Sequence, residues 1–148
     1  MSIFKRGTLL CAAVFSLILF ASWSTAEALP NPVIHYVGSK NYMAGGQPFT
    51  RYNLTVVNRA MYPAALFAPA PQLPPCGLNK NSSRTWVDIM NRKGPTRLYG
   101  FCSLHSPADL AGLWFAVPQG QPHAQYVYIV MTDRLTNMKY QSAPVHIP

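Results

Sequence analysis

The strongest β-strand signal in this chain is the stretch YVYIVMT at residues 126–132. β-Branched and aromatic side chains dominate it, and such side chains pack well on the surface of a pleated sheet. A polar turn at residues 133–137 follows, and residues 139–147 then read as a last strand, in which Pro144 is acceptable at a sheet edge. These two segments predict neighbouring strands of a β-sheet.

An earlier segment carries the same kind of signal. Residues 52–58 alternate in polarity, so that Tyr52, Leu54 and Val56 fall on one face of a strand. Beyond the first twenty-eight residues, no segment has the three-four apolar spacing of an amphipathic helix, and Pro and Gly are scattered throughout. The sequence therefore predicts an all-β fold of short strands joined by turns.

A central hairpin is predicted around residues 91–95, which contain Gly94 and Pro95. Its strands cover residues 84–90 and 97–102. Symmetric pairing about the loop predicts these opposed residues: Val87 with Gly100, Ile89 with Leu98 and Thr85 with Cys102 on one face, and Trp86 with Phe101, Asp88 with Tyr99 and Met90 with Arg97 on the other.

Two stretches depart from the strand pattern. Residues 63–75 hold five prolines, which favours an extended crossing between sheets over a helix. Ser106-Pro107 is a typical helix start and Gly112 a typical stop, so one helical turn is expected between them.

Two motifs accompany the last strands: Tyr126-x-Tyr128-x-Val130 and Ser142-x-Pro144-Val145-x-Ile147. Separated by a polar turn, they resemble the closing strands of fibronectin type III and related immunoglobulin-like domains. The resemblance implies an antiparallel immunoglobulin/fibronectin-III-like β-sandwich. It implies no catalytic residues, because domains of this kind mostly bind other molecules or space other domains.

The start of the chain has the three parts of a secretory signal peptide. Two basic residues at positions 5 and 6 precede an uncharged apolar run at residues 9–20, and Ala26-Glu27-Ala28 supplies a small-x-small cleavage step. We expect cleavage of the signal peptide, residues 1–28, which leaves residues 29–148 as a single secreted or periplasmic domain.

Cys76 and Cys102 are the two cysteines that remain after such cleavage. In an oxidising compartment an even pair is most simply one structural disulfide. A redox role would need a closer pair and a zinc site more ligands, so neither is expected.

Residues 29–148 contain ten Lys and Arg against three acidic residues, a net charge of +7. An exported basic protein meets anionic headgroups, acidic polysaccharide or acidic proteins, and we expect no nucleic-acid partner. The only acids are Asp88, Asp109 and Asp133, which argues against a hydrolase with paired carboxylates. The histidines lack metal-binding spacing. No enzymatic activity, metal or cofactor is expected.

We therefore expect a non-enzymatic binding or adhesion module whose partner is an acidic polysaccharide, an anionic envelope surface or another exported protein. The candidate ligand-binding residues are Trp86, Tyr99 and Phe101, flanked by Arg84 and Arg97. Alternatively, these rings fill the space between two sheets, and the solvent exposure of Trp86 and Phe101 separates the two cases. The alternative function is an inhibitor or accessory subunit of another exported protein, with the proline-rich segment as its inserted loop.

Overall fold

The computed structural model describes residues 28–76 and 82–148. The predicted signal peptide therefore lies outside the described residues, apart from Ala28. The described part forms eight strands: β1 (Ile34–Ala44), β2 (Gln47–Val56), β3 (Thr85–Asn91), β4 (Arg97–Phe101), β5 (Leu113–Pro118), β6 (Tyr126–Asp133), β7 (Met138–Gln141) and β8 (Val145–His146). Three short 3-10 helices lie between them: Arg59–Met61, Ala64–Phe67 and Pro107–Ala111.

The strands form two antiparallel sheets. Sheet 1 has the order β1-β2-β5, and sheet 2 has the order β4-β3-β6-β7, with β8 also paired to β6. The all-β prediction is confirmed. Four segments predicted as strands correspond to sheet 2, with β7 and β8 predicted as one strand, whereas β5 was not predicted.

Both sheets contribute to one hydrophobic core. Alternate residues of β2, such as Leu54 and Val56, are fully buried, and so are Val87 and Ile89 of β3. Each fully buried side chain of this size stabilises the fold by roughly 1.5–3 kcal/mol. The period of two in burial explains why the outward residues of the same strands are free to carry polar groups.

The hairpin between β1 and β2 depends on two glycines. Gly45 and Gly46 have φ angles of 56° and 77°, and a two-residue turn with both φ angles positive is the favoured hairpin connection. The strand predicted at residues 52–58 is confirmed in type, but it begins at Gln47 and ends at Val56.

The predicted register of the central hairpin is wrong by one residue over most of its length. Val87 pairs with Phe101 and Ile89 with Tyr99, so these two rings lie on the core side of sheet 2. Met90 pairs with Arg97 as expected, because a β-bulge follows Ile89. The bulge adds one residue to β4, and a shift of one residue moves every side chain to the opposite face.

The proline-rich segment 63–75 does cross from sheet 1 to sheet 2, but it is not extended throughout. Its first part is the 3-10 helix Ala64–Phe67, which buries Leu66 and Phe67. Farther along, Ala68 C=O accepts a hydrogen bond from Arg84 N–H at 2.9 Å. The segment is thus packed into the core and tied to the start of β3.

The other predicted turn is confirmed. The 3-10 helix Pro107–Ala111 begins after Ser106 and ends at Gly112. The Asp109 carboxylate accepts a hydrogen bond from Ser106 N–H at 2.9 Å, which satisfies a backbone donor that the helix start leaves unpaired.

The last strand is split in two, β7 and β8, and Pro144 lies in the gap. Within this gap, Ser142 keeps the chain hydrogen-bonded to β6. The Ser142 hydroxyl accepts a hydrogen bond from Ile129 N–H at 2.9 Å, and Ser142 N–H donates to Ile129 C=O at 3.0 Å. The side chain thus replaces a backbone acceptor of the ladder. Proline is tolerated because this is the outer edge of the sheet.

The predicted disulfide between Cys76 and Cys102 is confirmed, with the Cα atoms 6.1 Å apart. It joins the crossing segment to the residue that follows β4. The closed loop spans a sequence separation of 26, for which loop-closure entropy corresponds to about 3.5 kcal/mol of stabilisation.

Candidate ligand-binding face

Arg84, which is expected to flank the binding surface, is instead paired with a carboxylate. Its Nε donates to Asp133 Oδ1 at 2.8 Å and its Nη2 to Asp133 Oδ2 at 2.6 Å. This paired hydrogen bonding raises the pKa of Arg84 and lowers the pKa of Asp133 to about 2, with Thr136 and Leu135 donating to the same carboxylate. The pair fastens the start of β3 to the end of β6.

Trp86 lies on the outer face of sheet 2, opposite to the face of Tyr99 and Phe101. It pairs with Thr132 in the ladder, and the Arg134 guanidinium lies 3.8 Å from its ring centroid. Burial lowers the pKa of Arg134. Trp86 is partly exposed, as is Phe101, so neither ring is enclosed in the core.

Arg97 is largely exposed and lies 3.4 Å from Asp88 Oδ1. A cleft of about 390 Å³ lies at β4, and its lining includes Trp86, Arg97, Tyr99 and Phe101, together with Asp88. Four of the five residues expected to bind ligand thus line one cleft, while Arg84 is not among them. Their role in ligand binding stays a prediction.

Tyr99 and Phe101 meet an aromatic residue that the sequence did not single out. Trp114 of β5 lies with its ring centroid 4.5 Å from that of Tyr99 and 6.3 Å from that of Phe101. Because β4 and β5 are edge strands of different sheets, the three rings close the open side between the sheets. Tyr99 keeps 39% of its surface exposed.

A cation stacks on this aromatic cluster from sheet 1. The Arg51 guanidinium lies 4.6 Å from the Trp114 ring centroid, within cation–π range. Arg51 Nε donates to Asn53 Oδ1 at 2.9 Å, and Asn53 Nδ2 donates to Gly38 C=O at 3.2 Å. This chain of contacts holds the guanidinium plane while it remains partly open to solvent.

Lys40 lies directly across from Arg51 in the β1–β2 ladder, on the same face. Like charges directly opposite one another destabilise a sheet. No Asp or Glu occurs in β1, β2 or β5 to offset them.

We name the surface formed by these aromatic and basic residues the Trp114 face. It is defined by Lys40, Arg51, Asn53, Trp114, Tyr99 and Phe101.

The sequence contained part of the signal for this face. Placing Tyr52, Leu54 and Val56 inward also places Arg51 and Asn53 outward on β2. The buried residues Leu113 and Phe115 on either side of Trp114 give an alternating pattern that places Trp114 on the outer face of a strand. The segment is too short for this pattern to predict the strand from sequence. Its contact with Tyr99 depends on how the two sheets meet, which no local pattern encodes.

The Trp114 face can supply ring stacking and two positive charges. Within the described ranges, no group of three or more His, Cys, Asp or Glu is arranged to hold a metal ion. Over the same ranges, no helix is long and apolar enough to cross a membrane.

Comparison of the chain with protein-family models, with curated proteins and with solved structures finds no match. The functional conclusion therefore depends on the geometry of this molecule alone.

Proposed function

We propose that the protein is an exported, non-enzymatic binding module that takes an acidic polysaccharide on the Trp114 face. The observation that carries this proposal is the stacking of Arg51 on Trp114 at 4.6 Å, beside Tyr99 of the other sheet. It brings a fixed guanidinium and two aromatic rings together at a surface to which the strands of sheet 1 contribute no carboxylate.

The chemistry of an acidic sugar polymer fits these groups. The apolar faces of sugar rings pack on aromatic side chains, which supply large contact areas. A guanidinium can donate two parallel hydrogen bonds to one carboxylate or sulfate. Lys40 and Arg51 repel each other across the ladder, which destabilises the free protein. A bound anion would also reduce this electrostatic repulsion.

We further propose an immunoglobulin-like sandwich of the fibronectin type III kind. If β1 to β7 are lettered in chain order as A, B, C, C′, E, F and G, sheet 1 is A-B-E and sheet 2 is C′-C-F-G. β8 follows G and pairs with F on the same side. That partition of A, B and E from C, F and G supports the proposal, as does the shared core. Such domains bind partners through their faces and edges.

The proposed location is secreted or periplasmic. The basic start, apolar run and Ala26-Glu27-Ala28 step support it. The disulfide between Cys76 and Cys102 agrees with an oxidising compartment. The alternative of an inhibitor that inserts residues 63–75 gains no support, because Leu66 and Phe67 of that segment are buried.

Binding of dextran sulfate, with neutral dextran of equal length as comparator, tests the proposal by calorimetry. We expect binding of dextran sulfate only. Arg51→Gln should weaken it by about tenfold, as expected for the loss of one charge-assisted hydrogen bond.

Lys139→Gln is the matched control, because Lys139 is an exposed cation on β7 of sheet 2. It removes the same charge and should change the affinity little. Equal losses for the two variants would mean that net charge alone attracts the polymer, and the proposal would be wrong.

A further inference from the structure

A second cavity, of about 640 Å³, lies at the end of sheet 2 beside the β3–β4 turn. Two segments line it, residues 91–93 and residues 122–126. Pockets for small molecules measure about 300–1,000 Å³. This cavity therefore has the size of a small-molecule site, and it is distinct from the cleft along β4.

Backbone hydrogen bonds fix both walls of the cavity. Arg92 N–H donates to Tyr126 C=O at 3.0 Å, which joins the two lining segments directly. Lys93 N–H donates to Asn91 Oδ1 at 3.0 Å, and Gln125 C=O accepts from Ile147 N–H at 2.8 Å. Because the walls are held by the sheet, a ligand would enter a site that already exists.

Two exposed cations, Arg92 and Lys93, line this cavity and form no ion pair with a carboxylate of the described residues. The ion pairs within the described residues involve Arg84 and Arg97, not Arg92 or Lys93. The Arg92 guanidinium lies 6.0 Å from the Tyr126 ring centroid, so a cation and an aromatic ring face the same space. Unopposed positive charge at a concave surface concentrates anions there.

His123 forms part of the cavity lining. Its ring stacks on Tyr52 at a centroid distance of 4.8 Å, which fixes the ring against the core. Its Nε2 is buried and has no hydrogen-bond partner within the part of the chain that the structure describes. The fixed ring supplies an aromatic part of the cavity wall.

We propose that this cavity binds a small phosphate or sulfate ester. Its oxyanion is held by Arg92 and Lys93, and its apolar body packs along Pro122 and Tyr126. This site shares no residue with the Trp114 face, for which a polymer is proposed.

Phenyl phosphate and phenyl sulfate are the probes, with the uncharged phenyl β-glucoside as comparator. Titrations followed by amide shifts in two-dimensional NMR should give saturable changes at residues 91–93 and 122–126 for one or both esters. A response to one ester alone identifies the preferred oxyanion. The glucoside should give none.

The double variant Arg92→Gln/Lys93→Gln should weaken ester binding by at least about tenfold, because both positions are exposed and the fold remains intact. Arg51→Gln, on the Trp114 face, should leave ester binding unchanged and thereby separate the two sites. Unsaturable shifts, or equal affinity in the double variant, would overturn the proposal.

Discussion

Arg84 and Asp133 form a bidentate ion pair, in which the two carboxylate oxygens accept hydrogen bonds from one guanidinium at 2.8 and 2.6 Å. Asp133 is 3% exposed, and its oxygens also accept from Leu135 N–H at 3.1 Å and from the Thr136 hydroxyl at 2.8 Å. One carboxylate therefore joins the start of β3, the end of β6 and the turn into β7.

This arrangement predicts acid sensitivity. The pKa of Asp133 is about 2 in the folded protein, against an ordinary value of 3.8. The contribution of this carboxylate to the free energy of unfolding is therefore present above pH 3.8 and is lost as the pH falls towards 2. Because Arg84 is partly exposed, we expect the loss to be roughly 1–2 kcal/mol of unfolding free energy. Urea denaturation across this pH range measures it.

Asp133→Asn should lower stability at neutral pH and flatten the acid dependence. Asp88→Asn is the matched control, because Asp88 pairs with Arg97 in an exposed, longer contact and should matter little. If the carboxyl carbon of Asp133 titrates near its ordinary pKa, the ion pair does not have the strength assigned to it.

Ser142→Ala should destabilise the protein by about 1–3 kcal/mol. The hydroxyl is the acceptor for the buried Ile129 N–H, and its removal leaves that donor unpaired next to the strand break at Pro144. Thermal or urea unfolding measures the change. Ser39→Ala, at an exposed position of β1, is the control and should be near neutral. Equal stabilities for the two variants would show that water replaces the hydroxyl at no cost.

Much of sheet 2 could be predicted from the sequence, because β3, β4 and β6 each have local alternation or strong β propensity. The hairpin register could not, because the bulge after Ile89 adds a residue that the loop sequence does not reveal. The first hairpin was missed although Gly45-Gly46 is a typical two-residue turn signal.

The candidate site could be predicted only in part. Tyr99 and Phe101 were singled out as exposed aromatics on a basic hairpin, and they belong to the Trp114 face. Trp114 and Arg51 come from a different sheet, so their contact follows from how two edge strands meet. Arg84 was a reasonable candidate by type, but its partner Asp133 lies 49 residues away in sequence.

Binding of an acidic saccharide at the Trp114 face is tested by the indole NMR spectrum during titration with dextran sulfate oligosaccharides. Residues 29–148 contain two tryptophans, Trp86 and Trp114, on different faces of the molecule. We predict that the Trp114 indole signal shifts and saturates together with the Arg51 and Tyr99 amides, while the Trp86 indole stays in place. A bound complex in which the Trp114 signal does not move, or in which Trp86 alone moves, would show that the saccharide binds elsewhere.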